Sequence, residues 1–119
     1  MRISLREDEE ISSSGSKYWR FRGVLHREDG PAVEQYDGYR AWYKMGSIHR
    51  EDGPALIYPS GQKEWRLHNL RHREDGPAVE FPDGTKEWYL DGQYIKSGEQ
   101  PDNWNELVGL YQVKRVMND

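Results

Sequence analysis

Three copies of His-Arg-Glu-Asp-Gly-Pro-Ala begin at His26, His49 and His72, and each sets an imidazole, a guanidinium and two carboxylates within four consecutive residues. Histidine beside carboxylates is the composition of a general acid–base pair or of a divalent-metal site. The recurrence argues against both. An active site is built once from unlike elements, and His with Asp three residues on in a turn, as in His26 and Asp29, is a weak ligand spacing. The trio His26, Glu28 and Asp29 therefore reads as corner chemistry: Asp capping the turn, Arg and Glu pairing along a sheet edge, His packing near the next Trp. No catalytic residue, metal ligand or cofactor is expected.

A second set could stack on a ligand. Trp19, Trp42, Trp65 and Trp88 stand 23 residues apart, the interval that also separates the three motifs. A Trp ladder can serve as a platform for nucleotide bases. Strand alternation instead places these Trp residues with Val33, Leu56 and Val79, which makes them core candidates. Arg40, Lys63 and Lys86 beside the aromatics would supply cation–π contacts at the rim. The chain has neither a phosphate-binding Gly-rich loop nor a nucleophile elbow.

The elements that carry these residues follow from the 23-residue period, which marks a tandem repeat. In one unit Pro31–Tyr36 is a strand, Asp37-Gly38 a turn and Tyr39–Met45 a second strand. Asp-Gly favours a two-residue type I′ hairpin, and Ser14-Gly15, Ser60-Gly61 and Asp83-Gly84 take the same place in the other units. With two turn residues, Tyr36 opposes Tyr39, Gln35 opposes Arg40 and Val33 opposes Trp42; Leu56 opposes Trp65 and Val79 opposes Trp88. One face then gathers the core. The other carries Ala41, Tyr43 and Met45, then Glu64, Arg66 and His68, then Glu87, Tyr89 and Asp91, a solvated mixture. The segment from Met45 to Pro54 turns the chain back into the next unit. Asp102–Met117 reads as a helix with Asn103 and Glu106 as a capping box, an apolar stripe of Trp104, Leu107, Val108 and Tyr111, and basic Lys114 and Arg115 near its end. Gly109 weakens it by up to roughly 1 kcal/mol.

The expected fold is all-β: an antiparallel meander of tandem hairpin repeats forming an elongated, twisted sheet, closed by a C-terminal α-helix. Residues 1–16 form a degenerate cap strand and turn, 17–98 the repeat array and 99–119 the amphipathic helix. With 34 % hydrophobic residues but five Trp and eight Tyr, the core should be mostly aromatic. The absence of Cys removes disulfides and thiolate metal sites, and a net charge of −4 disfavours nucleic-acid and anionic-membrane partners. No segment is apolar enough for a signal peptide or a bilayer span, so the expected setting is the cytoplasm.

A 23-residue hairpin repeat with Gly-rich turns and a motif close to Trp-Tyr-x-x-Gly-x-x-His resembles the MORN repeat family (membrane occupation and recognition nexus), above all its bacterial and viral variants. The resemblance covers roughly Lys17 to Gly98. It implies successive hairpins stacked into a curved sheet that acts as a scaffold for protein contacts. Stand-alone arrays of the His-Arg-Glu-Asp-Gly-Pro-Ala type look like those of bacteriophage and large-virus proteins, which makes a small phage-encoded inhibitor of a host defence protein one specific form of that function.

The expected activity is thus non-enzymatic contact with a protein partner. Tyr43, Met45, Arg66, His68 and Tyr89, with the edge charges Arg50, Glu51, Arg73 and Glu74, are the contact candidates, because exposed aromatic and Arg side chains anchor interfaces. The alternative is a small-ligand or nucleotide-sequestering protein whose site lies between repeats or subunits and grips phosphate with Arg. Homodimerisation through open edge strands or the C-terminal helix is a further expectation.

Overall fold

Two kinds of tight turn set the path of the chain in the computed structural model, which describes residues 7–117. The cap before Glu7 and the last two residues of the 99–119 segment lie outside that range. The first kind occurs at the Ser-Gly and Asp-Gly positions. Gln35 N–H donates to the Tyr39 carbonyl and Gly38 N–H to the Gln35 carbonyl, while Gly38 takes a φ of 100°. That is a three-residue loop, a type I turn closed by a left-handed glycine. The same bonds recur from Ser12, Tyr58 and Phe81. The second kind falls at Arg22-Gly23, Met45-Gly46, His68-Asn69 and Asp91-Gly92, where both residues have positive φ. These are type I′ turns, the type expected at Asp-Gly.

The architecture is mostly antiparallel strands in open sheets with one C-terminal helix. The strands are β1 (Asp8–Ile11), β2 (Lys17–Phe21), β3 (Val24–Leu25), β4 (Val33–Glu34), β5 (Arg40–Ala41), β6 (Tyr43–Lys44), β7 (Ser47–Ile48), β8 (Leu56–Ile57), β9 (Lys63–Glu64), β10 (Arg66–Leu67), β11 (Leu70–Arg71), β12 (Val79–Glu80), β13 (Lys86–Leu90) and β14 (Gln93–Ser97). The main sheet runs β1-β2-β4-β5-β8-β9-β12-β13-β14 with β3 added to β2, while β6–β7 and β10–β11 are two-stranded ribbons. The extents are 48 × 41 × 20 Å, a plate more than a rod.

The extra loop residue moves the register by one. Val33 faces Ala41, Leu56 faces Glu64 and Val79 faces Glu87, where Trp42, Trp65 and Trp88 were expected. Likewise Arg40 faces Glu34, Lys63 faces Ile57 and Lys86 faces Glu80. Because side chains alternate along a strand, a shift of one exchanges faces. Ala41 and Glu64, read as solvated, are 0 % and 2 % exposed. One face packs Val33, Ala41 and Leu56 against Tyr18, Leu25, Tyr39, Tyr43, Ile48 and Tyr58. Burial there pushes the Tyr39 phenol up to about 12.

The Trp residues stand on the opposite face and tie the sheet to the ribbons. Trp42 N–H donates to Ala55 and its carbonyl accepts from His49 N–H; Trp19 bonds Ala32 and His26, and Trp65 bonds Ala78 and His72, in the same way. Helix α1 (Trp104–Met117) docks on this face. Its first intrahelical bond runs from Leu107 N–H to the Asn103 carbonyl, which sets Asn103 at the cap position. Trp104, Leu107, Val108 and Tyr111 pack with Trp88, Leu90 and Ile95, as the apolar stripe implied. No helix among the described residues is long and apolar enough to cross a membrane.

Candidate interaction surface

Each side chain of the repeated motif that could do chemistry is bonded within the chain. His26 Nδ1 accepts from Met45 N–H at 2.9 Å, His49 Nδ1 from His68 N–H at 3.0 Å and His72 Nδ1 from Asp91 N–H at 2.8 Å. An Nδ1 that accepts leaves the proton on Nε2, which points at the carboxylate two residues on: Glu28 at 2.8 Å, Glu51 at 3.4 Å and Glu74 at 3.3 Å. Each imidazole so clamps one type I′ turn to the motif of the preceding unit. The bond from His26 holds Glu28 below the usual carboxylate range. Burial opposes ionisation of Glu74, but bonds from Gln112 and His72 outweigh it and its carboxyl is also held low.

The guanidinium lies over an indole. Arg27, Arg50 and Arg73 stand 3.8, 4.0 and 3.9 Å from the ring centres of Trp19, Trp42 and Trp65. Cation–π contacts therefore fall on these arginines, whereas Arg40, Lys63 and Lys86, expected to make them, are exposed in the main sheet. Each stacked arginine is fixed twice more, by Nε to Asp29, Asp52 or Asp75 and by one terminal nitrogen at 3.1 Å to the carbonyl of Pro31, Pro54 or Pro77. The Arg50 bond lowers the pKa of Asp52. Within the motif the Arg pairs with Asp and the His with Glu, because the Trp ring holds the guanidinium beside the turn, while Arg–Glu pairs form to the following strand, Arg27 with Glu34 at 3.5 Å and Arg73 with Glu80 at 3.4 Å.

The motif glycine provides room for this stack. A Cβ at Gly76 would stand 2.7 Å from Arg73 Cζ, and one at Gly53 2.8 Å from Arg50 Cζ. Gly76→Ala is expected to lift Arg73 from Trp65 and to cost about 1 kcal/mol, the scale of a partly desolvated cation–π contact. Chemical denaturation of Gly76→Ala, Arg73→Ala and the double variant checks it: the two effects should overlap strongly, and full additivity would show that the glycine acts elsewhere.

The candidate contact residues divide between the two faces. Tyr43, Arg66 and Tyr89 lie half-buried on the Val33 face. There Arg66 bonds the buried Glu64 at 2.7 Å, and the Tyr89 hydroxyl donates to Glu87 at 3.3 Å and accepts from Arg71 at 3.1 Å. Arg50, Arg73 and Glu74 belong to the motif face and are engaged as described. Also on that face are Met45, 55 % exposed, the exposed Glu51, and His68, whose ring stands 4.5 Å from that of His49. A groove of about 1020 Å³ runs between the first two motifs past Lys44, Met45 and His68. Another of about 640 Å³ lies between α1 and the later turns, with Leu67, Leu70, Leu90, Leu110, His68 and Lys114 on its walls.

The sequence reading missed the charged centre of the other face. Glu64 is 2 % exposed and accepts from Gln62, Arg66 and Arg71 at 2.7–3.1 Å. Burial opposes its ionisation, and the two guanidinium bonds overcome that and lower its pKa. A signal was present: at an offset of 23 residues Glu64, Arg66 and Arg71 align with Ala41, Tyr43 and Ile48, a joint exchange of three apolar residues for one anion and two cations. Among the described residues no group of three or more His, Asp or Glu is arranged to hold a metal ion. No family model, no curated protein and no solved structure matches the chain.

Proposed function

We propose that the protein is a non-enzymatic, MORN-like array of hairpin repeats that binds a partner protein through its motif face. What supports the reading is the common bonding in the three motifs, where His26, His49 and His72 bond Glu and a turn N–H, and Arg27, Arg50 and Arg73 bond Asp and lie over Trp. Side chains that could abstract protons or bind phosphate are spent on fixing turns and stacking on Trp, so the face offers a rigid, ordered relief instead of a reaction centre. Side chains held in place beforehand lose little conformational entropy on binding, which favours recognition. A phage-encoded inhibitor of a host defence protein is the specific form suggested by the resemblance to viral arrays.

Met45 and His68 are the positions to test. Both sit at the first residue of a type I′ turn, and Asp91 occupies the same place in the following unit with a φ of 52°. Met45→Asp and His68→Asp therefore change the surface while keeping a residue type that this turn accepts. Native mass spectrometry of the protein drawn from a lysate of its natural host should show a retained protein that the double variant loses at unchanged melting temperature. A bare chain, or retention equal in the variant, would refute contact through this face. The second reading, ligand capture, is favoured by the 640 Å³ groove beside α1, a volume suited to a small molecule. A bound mass of a few hundred daltons would establish it instead.

A further inference from the structure

Helix α1 carries a second apolar stripe that its own chain leaves uncovered. Trp104, Leu107, Val108 and Tyr111 face the sheet. At about 100° per residue, Leu110, Val113 and Met117 fall on the opposite side, spaced three and four apart like the seam of a coiled coil. They are 67 %, 57 % and 78 % exposed, and Val116 beside them is 69 % exposed. Gly109 borders the same stripe. A Cβ there would meet nothing within 4 Å, so packing in this chain does not require the glycine, although it costs helix stability relative to alanine. A bare backbone at that point does let a second helix approach closely.

We infer that α1 pairs with α1 of a second copy, antiparallel and about a two-fold axis. The occupant follows from the charge pattern. Glu106 lies in the first turn and Lys114 and Arg115 in the last. In a parallel pair like charges would face each other; in an antiparallel pair each acidic end meets a basic end, and the helix dipoles oppose favourably. A two-fold contact also makes one surface its own complement. With Leu110 packed against Val113 of the second copy, Glu106 comes to lie within about one helical turn of Lys114 of that copy. The platform is preformed, since Trp104 Nε1 donates to the Glu74 carbonyl at 2.8 Å and Gln112 to the Glu74 side chain at 2.6 Å. Leu110 also borders the groove between α1 and the turns, so the seam continues onto the sheet. Leu110, Val113 and Met117 lie outside the groove of the first two motifs, and pairing through them would give the proposed partner-binding face two copies per particle.

Sedimentation velocity over a concentration series of the full chain tests it. The wild type should pass reversibly from one to two chain masses, and Leu110→Glu with Val113→Glu should weaken association at least tenfold without moving the melting temperature, because neither side chain is buried in the monomer. A wild type that stays monomeric throughout, or a dimer that persists in the double variant, would overturn the inference. Orientation has its own readout, since the chain has no Cys. Under mild oxidation an equimolar mixture of Leu110→Cys and Val113→Cys proteins should cross-link mainly between residues 110 and 113; predominant 110–110 cross-links would mean a parallel pair and refute the arrangement.

Discussion

Glu64→Ala is expected to lower unfolding free energy by about 3 kcal/mol, while Glu64→Ala combined with Arg66→Tyr and Arg71→Ile should return stability to within about 1 kcal/mol of the wild type or above it. The single change removes the anion on which two guanidinium groups converge and leaves them facing a largely apolar surface. Removing one partner of a buried pair is costly because the other charge stays desolvated. The lower end of the usual range applies here, since the arginine side chains keep 22 % and 36 % of their exposure. The triple variant installs the Ala, Tyr and Ile that occupy the same places one unit earlier, where Ala41 is buried and Tyr43 and Ile48 pack on the core. Acid narrows the gap between the wild type and Glu64→Ala. The folded pKa of Glu64 lies below its unfolded value, so the stability it contributes is present above the ordinary carboxylate range and is lost as pH falls through the folded value. Urea unfolding of each variant between neutral pH and mild acid provides the check. A single variant that loses less than about 0.5 kcal/mol, or a triple variant as weak as the single, would show that the network is not what holds this part of the sheet.

Trp104→Ala should cost more, about 3–5 kcal/mol, the range for an aromatic side chain deleted from a packed core. Trp104 is 2 % exposed, stands edge-on to Trp88 at 5.0 Å and donates its indole N–H to the Glu74 carbonyl. The fourth unit explains the size of the effect. Trp19, Trp42 and Trp65 are each covered by a motif arginine, but the chain after Trp88 has Ile95 and Lys96 where His and Arg would recur. Trp104 supplies that cover from the helix and so caps the last Trp of the row. Trp104→Phe, which keeps the ring contact and loses the N–H bond, should cost about 1 kcal/mol from that bond and somewhat more from the smaller ring. Thermal unfolding combined with amide exchange along α1 distinguishes the two. If Trp104→Ala cost under about 1 kcal/mol, the helix would be an appendage and not a cap.

Local chemistry explains which parts of this molecule were legible in the sequence. The helix, its cap residue and its sheet-facing stripe follow from spacing over a few residues, and the turns follow from the conformations open to Gly, Asn and Asp. The assignment of turn type did not follow, because Asp-Gly suits both a two-residue type I′ loop and a type I turn ending in a left-handed glycine. The bond from Gly38 N–H to the Gln35 carbonyl selects the second. That one residue of loop decides whether Glu64 faces water or the core, and with it whether Arg66 is a free contact residue or the partner of a buried anion.

By itself the sequence determined the 23-residue period, the strand-rich composition, the C-terminal helix and the like surroundings of each His-Arg-Glu-Asp-Gly-Pro-Ala, since a motif that recurs at fixed spacing meets the same neighbours each time. The tertiary structure alone decided which neighbours those are. The imidazole reaches a backbone N–H nineteen residues on, the guanidinium reaches a Trp eight residues back, and Glu64 gathers arginines from two strands of a ribbon. Such contacts depend on register and on where a strand bends, and both are set by cooperation among hydrogen bonds that no single stretch of sequence contains.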